Sequence, residues 1–144
     1  MATRLILVRH GETAWNAAKR YQGTKNPGLN DTGRRQAKAV AEELKDEKID
    51  AIYCSPMNRA RETLAEIIKS HKEVEPVFLD KLVELNYGGF EGLTKQEIEA
   101  KFGHYLDERV KKGIDFKYPE GESVAELIGR ISIVLEMLKK KHFG

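Results

Sequence analysis

Residues 5–13 read Leu-Ile-Leu-Val-Arg-His-Gly-Glu-Thr, an apolar, β-branched run that stops abruptly at an arginine, a histidine and a glycine. Apolar on both faces, Thr3 to Val8 is expected as a fully buried parallel strand. Such a strand delivers a cation and an imidazole to its C-terminal tip, where Gly11 lets the backbone turn. In open α/β sheets that tip is where ligands bind. An arginine beside a neutral imidazole suits an anion that can be attacked, and phosphate fits best. The plainer alternative is a strand that merely ends in polar residues.

The rest of the chain alternates strand and helix patterns. A polar loop with Gly23, Pro27 and Gly28 follows, and Asn30, Asp31 and Thr32 offer N-cap side chains to a helix with Ala37, Val40, Ala41 and Leu44 at helical spacing. Asp50 to Cys54 reads as a second strand, closed by Ser55-Pro56 and followed by a helix from near Arg59, with Leu64, Ile67 and Ile68 inward. Glu75 to Leu79 reads as a third, shorter strand, and Gly88, Gly89 and Gly92 mark a tight loop. Two capping boxes come next. Thr94 with Glu97 opens a short helix expected to end near Phe102-Gly103. Ser123 with Glu126 opens a long one with Val124, Leu127, Ile128, Ile131, Val134, Leu135 and Leu138 on one apolar side. Gly144 sits where a C′ glycine stops a helix. This order predicts a three-layer α/β/α sandwich with a mostly parallel central sheet, formed as a single domain over residues 1–144.

Bulk properties exclude several classes. At 144 residues the chain is long enough for a real core, and its net charge of +2 is too small to point to nucleic acid or a membrane surface. Lys139-Lys140-Lys141 ends a helix, where the dipole favours cations. One cysteine precludes an internal disulfide, and no signal peptide or spanning apolar run is evident, so a cytoplasmic location is expected.

His10 is the best nucleophile candidate. An imidazole attacks through one nitrogen while the other keeps its proton, usually held by a carbonyl, which a turn at Gly11 can supply. Arg59, just after the second strand, is placed to converge with Arg9 on one pocket if the first two strands are neighbours; Arg61 points elsewhere. Cys54 is separated from Arg59 by four residues and from Arg61 by six, whereas a cysteine-phosphatase loop requires five. Cys54 therefore reads as a small buried hydrophobe. Glu84 and Glu91 are both candidate proton donors at a pocket rim, and the residues alone do not choose between them. His71, His104 and His142 lack metal-ligand spacing, so no metal or cofactor is expected. Trp15 and Tyr21 follow the turn and either wall a pocket or pack in the core.

These residues form a pattern. Leu7-Val8-Arg9-His10-Gly11-Glu12-Thr13 with Asn16 resembles the signature of the histidine phosphatase superfamily, the phosphoglycerate mutase-like proteins. Ser55-Pro56-Met57-Asn58-Arg59-Ala60 resembles its second-arginine motif. Glu84 with Tyr87-Gly88 and Glu91-Gly92 resembles its acid loop, and Pro119-Glu120-Gly121-Glu122-Ser123 resembles the segment before its long helix. The resemblance implies that His10 takes the phosphoryl group, that Arg9, Arg59 and Asn16 bind it, and that Glu84 rather than Glu91 protonates the leaving alcohol. Thr13, Gln22 and Gly23 then belong to the substrate pocket. In the family a further strand ending in Ser-His-Gly follows the long helix and pairs beside the first strand, and its histidine completes the phosphate pocket. Here the chain reads His142-Phe143-Gly144. His142 ends a helix, so that role is not transferred to it, and Leu5 to Val8 is expected to present an open edge that favours a homodimer.

The expected activity is hydrolysis of a small phosphorylated metabolite. A cofactor-dependent phosphoglycerate mutase and a catalytically weak phosphate-binding fragment are the alternatives.

Overall fold

The computed structural model describes residues 3–143, so the helix stop expected at Gly144 lies outside the described residues. Helix α1 (Ala14–Ala17) is a single turn, followed by α2 (Asp31–Leu44). Of the three cap candidates before α2, Asn30 takes the position, its Oδ1 accepting from Gly33 N at 2.8 Å. Strand β1 (Ile52–Cys54) leads into α3 (Asn58–Ile67), and β2 (Pro76–Phe78) pairs parallel with β1, Ile52 opposite Pro76 and Cys54 opposite Phe78. Both strands lie inside the segments expected from sequence. Helix α3 packs on α2, and Leu64, Ile67 and Cys54 form a small core with Val40, Ala41, Leu44 and Ile52. The architecture is α/β with a parallel sheet.

The first strand is the main departure. Among the described residues, 3–8 pair with no strand, and β1 is bonded only to β2. Leu7 is 91% exposed, and Leu5, Ile6 and Val8 are exposed as well. The expected burial of Thr3 to Val8, and its position beside the second strand, are therefore corrected. The physical reason is that a strand's backbone groups and its side chains both need neighbours. With no ladder on either side, β-propensity has nothing to act on. The same shortage corrects α5 (Val124–His142). Of its expected apolar side Val134 is buried, but Ile128 and Leu135 remain exposed.

A second core is complete in itself. Leu85, Phe90, Ile98, Phe116 and Tyr118 are buried together, with Tyr21, Tyr87, Phe102 and Tyr105 packed around them. Its rings meet edge-on, for instance Phe90 with Tyr118 at 5.3 Å and Tyr87 with Tyr118 at 5.0 Å, the arrangement that aromatic quadrupoles prefer. Both predicted capping boxes form, at α4 (Lys95–Lys112) and α5. Helix α4 runs past its expected end near Phe102, but Phe102 itself leaves helical geometry (φ −130°, ψ 26°), so a kink stands where a terminus was expected. Phe102 packs on Phe90 at 5.2 Å, which ties the kink to the aromatic core. Among the described residues no helix is long and apolar enough to cross a membrane.

Candidate active site

Although its strand is unformed, the segment's tip is held by side chains. Gly11 N donates to Thr63 Oγ1 (3.0 Å), and Thr63 Oγ1 donates to the Arg59 carbonyl one turn earlier in α3 (2.7 Å). Glu12 N donates to Gln36 Oε1 (2.8 Å), and the Glu12 carbonyl accepts from Asn30 N (3.0 Å). Gly11 is required here, because a Cβ on it would lie 2.4 Å from the Gly33 carbonyl oxygen. Thr63 was not anticipated from sequence, although its position four residues after Arg59, on the same helix face, was a usable signal.

His10 Nδ1 lies 2.7 Å from the Gly11 carbonyl oxygen. A carbonyl only accepts, so Nδ1 carries the proton and Nε2 keeps its lone pair. Burial lowers the His10 pKa; the Gly11 carbonyl and the Glu84 charge oppose this, and the charges of Arg59 and Arg9 add to it. The ring is thereby biased to the neutral form that can attack.

Arg59 is 2% exposed, and it donates to the carbonyls of Lys25 (2.9 Å) and Gly23 (2.9 Å). Those two bonds aim a guanidinium that retains further N–H donors. Arg9 is exposed next to His10. The charges of both arginines thus act on the same imidazole from different parts of the chain, without the adjacent strands that sequence reasoning invoked. Arg61 turns away, donating to the Pro56 carbonyl (2.8 Å) and stacking over Phe78 at 3.9 Å.

Around this centre Thr13 Oγ1 donates to Gln22 Oε1 (2.6 Å) and accepts from Asn16 N (3.1 Å). Asn16 Oδ1 accepts from Thr13 N (3.0 Å), so the amide nitrogen is the remaining donor of that side chain. Gly23 has φ +53°, the left-handed region that favours glycine, and a Cβ there would lie 2.0 Å from Glu91 Oε1.

The two carboxylates separate cleanly. Glu91 is spent on the scaffold, Oε1 accepting from Thr24 N (2.7 Å) and Tyr87 N (3.2 Å). Glu84 is exposed, its Oε1 accepting, among the described residues, only from the neighbouring Leu85 N (2.8 Å), and its charge is felt by His10, Arg59 and Tyr87. Burial, with Glu84 next, pushes the Tyr87 phenol up to about 12. His71 is a satisfied core residue, its Nε2 2.9 Å from the Leu44 carbonyl, and His142 Nε2 meets Tyr53 Oη at 2.9 Å. Among the described residues no group of His, Cys, Asp and Glu side chains is arranged to hold a metal.

Known proteins share this sequence pattern and fold. The profile of the histidine phosphatase superfamily (branch 1) matches residues 5–144. The chain is 36% identical over 141 residues to phosphoserine phosphatase 1 of Hydrogenobacter thermophilus, covering 98% of this chain and 66% of that protein. It is 33% identical over 135 residues to a 2,3-bisphosphoglycerate-dependent phosphoglycerate mutase of Bartonella henselae, covering 91% and 66%. A solved mycobacterial glucosyl-3-phosphoglycerate phosphatase superposes with a TM-score of 0.82 at 28% identity, covering 92% of this chain and 63% of that one. The chain thus spans just under two thirds of the length of these relatives. With the family profile matched over residues 5–144, this chain belongs to branch 1 of the histidine phosphatase superfamily.

Proposed function

We propose that this protein hydrolyses a small phosphate monoester through a phosphohistidine on His10. The observation that carries the reading is the His10 Nδ1–Gly11 carbonyl bond of 2.7 Å beside the buried Arg59, which leaves Nε2 unprotonated and next to fixed positive charge. In the first step Nε2 attacks phosphorus, the N–P bond forms, the ester P–O bond breaks, and the Glu84 carboxyl gives its proton to the departing alkoxide. In the second, water attacks phosphorus, Glu84 takes a proton from it, and inorganic phosphate leaves with His10 restored. Arg9, Arg59 and the Asn16 amide hold the phosphoryl oxygens where negative charge is greatest; a donor so placed is worth about 2.7–4 kcal/mol. Thr13, Gln22 and Gly23, expected in the substrate pocket, are instead buried, so they shape the loop behind the site and do not line it.

The name of the Hydrogenobacter relative makes phosphoserine the first ester to test. A mutase reading, in which the phosphoryl group returns to another oxygen of the substrate, is favoured by the Bartonella relative. A cytoplasmic location and pairing of two chains through residues 5–8 belong to the same proposal. The lone Cys54 supports the first, and the exposed apolar side chains of Leu5, Ile6, Leu7 and Val8 support the second.

The test is turnover of phosphoserine and of phosphoglycerate with product analysis. Free phosphate with an acid-labile phosphohistidine on His10 is expected, and His10→Ala should cut the rate by about 10⁴-fold or more. Isomerised ester selects the mutase. Undiminished turnover by His10→Ala removes the reading.

A further inference from the structure

The acid loop is clamped from outside. Arg130, in the second turn of α5, donates from Nη1 to the carbonyls of Lys81 (2.7 Å) and Val83 (2.6 Å), and from Nη2 to the carbonyl of Glu84 itself (3.1 Å). Glu122, just before α5, grips the same guanidinium through Oε1 on Nε (2.6 Å) and Oε2 on Nη2 (2.9 Å). It then reaches the other side of Glu84, Oε2 accepting from Asn86 N (3.2 Å), while Glu122 N donates to the Asn86 carbonyl (2.9 Å). The backbone is thus held just before Glu84, at Glu84 and two residues after it by one ion pair. Both partners are largely buried, at 20% and 16% side-chain exposure. Arg130 holds the Glu122 carboxyl below the usual carboxylate range. Gly121 lets the loop come this close, because a Cβ there would lie 2.4 Å from the Asn86 oxygen.

A bidentate guanidinium–carboxylate fork has fixed planar geometry, and here its remaining donors are all spent on the 81–84 backbone. The Glu84 side chain, in contrast, is exposed and held only by its neighbour's amide. Its position is therefore set by where its backbone is held. A proton donor must stand within hydrogen-bond reach of the leaving oxygen, and small displacements are costly.

We propose that Arg130 and Glu122 are a positioning pair that holds Glu84 at the phosphoryl site as proton donor. The inference rests on the phosphohistidine reading above. Lysine keeps the charge of Arg130 but not the fork, so it cannot grip Glu122 bidentately and three carbonyls together.

The experiment compares an alkyl phosphate, whose leaving group needs a proton, with p-nitrophenyl phosphate, whose leaving group departs without one. Arg130→Lys should lower kcat for the alkyl ester by about 10–10²-fold, part of the full contribution of a general acid, and leave p-nitrophenyl phosphate within about threefold. Adding Arg130→Lys to Glu84→Gln should then cost the alkyl ester almost nothing more. Hydrogen exchange at the Leu85 and Asn86 amides should speed up while that at Ile98 is unchanged. Equal losses on both esters, or full additivity with Glu84→Gln, overturn the proposal. If the unsubstituted chain turns over neither ester, the phosphatase reading fails on its own. Exchange then judges the clamp: unchanged rates at Leu85 and Asn86 in Arg130→Lys remove it, and faster ones support the holding of the loop.

Discussion

The aromatic core around Phe90 and the apolar segment before His10 are both hydrophobic, yet one is dry and the other wet. Phe90 is fully buried and Leu7 is 91% exposed. The difference lies in how each kind of element satisfies itself. The α4 and α5 entries close their own backbone groups through capping boxes, and the rings of the core meet one another. Residues 5–8 have strand composition, but a strand's backbone bonds must come from another segment, and β1 is bonded only to β2. Hydrophobicity creates the demand for burial, and only a partner meets it.

The largest test of this contrast is Phe90→Ala. Its site is ringed by Tyr21, Phe102 and Tyr118, so a cavity is expected and a loss of about 3–5 kcal/mol in denaturant unfolding. A loss under 1 kcal/mol would mean that the cluster is looser than its geometry. His10 directly follows the exposed segment and gives an intermediate effect. Its folded pKa lies below the ordinary histidine value of about 6.5, so the unfolded chain takes up the proton first. Stability should therefore fall as pH drops from about 6.5 through the folded value, and below that the penalty is complete. NMR titration of the His10 ring should show the lowered midpoint. Arg59→Met should raise it, because a charge that opposes protonation is removed; a midpoint at the ordinary value would show that the ring is solvated. The smallest effect is expected for Leu7→Ser, within about 0.5 kcal/mol for the dilute monomer. The same substitution should reduce the dimer fraction at high concentration by sedimentation if residues 5–8 pair two chains. A large loss in the dilute monomer would show that this segment is packed after all.

Much of the molecule was legible in its sequence for reasons that are local. Asn30, Thr94 and Ser123 cap helices because a short polar side chain reaches its own chain's N–H groups two or three residues on. The Nδ1 bond of His10 goes to the very next residue, so the expectation of a carbonyl from the Gly11 turn needed no tertiary knowledge. The β1–α3–β2 order was readable because each piece is short and bounded by turn residues. What was not legible depends on distant partners. The kink at Phe102 answers to Phe90, the capture of Gly11 to Thr63, and the tying of Glu91 to the scaffold to the amides of Thr24 and Tyr87.

By itself the sequence determined the chemistry on offer: one imidazole with a carbonyl at hand, two arginines, two carboxylates, and helices that cap themselves. These are properties of neighbouring residues and survive any arrangement of the whole. Tertiary structure alone decided which carboxylate was left free, how Arg59 was aimed by the carbonyls of Gly23 and Lys25, and that residues 3–8 would stay unpaired. Each of these depends on a group far along the chain being present to share a hydrogen bond or to shed water, and no run of residues carries that partner within itself.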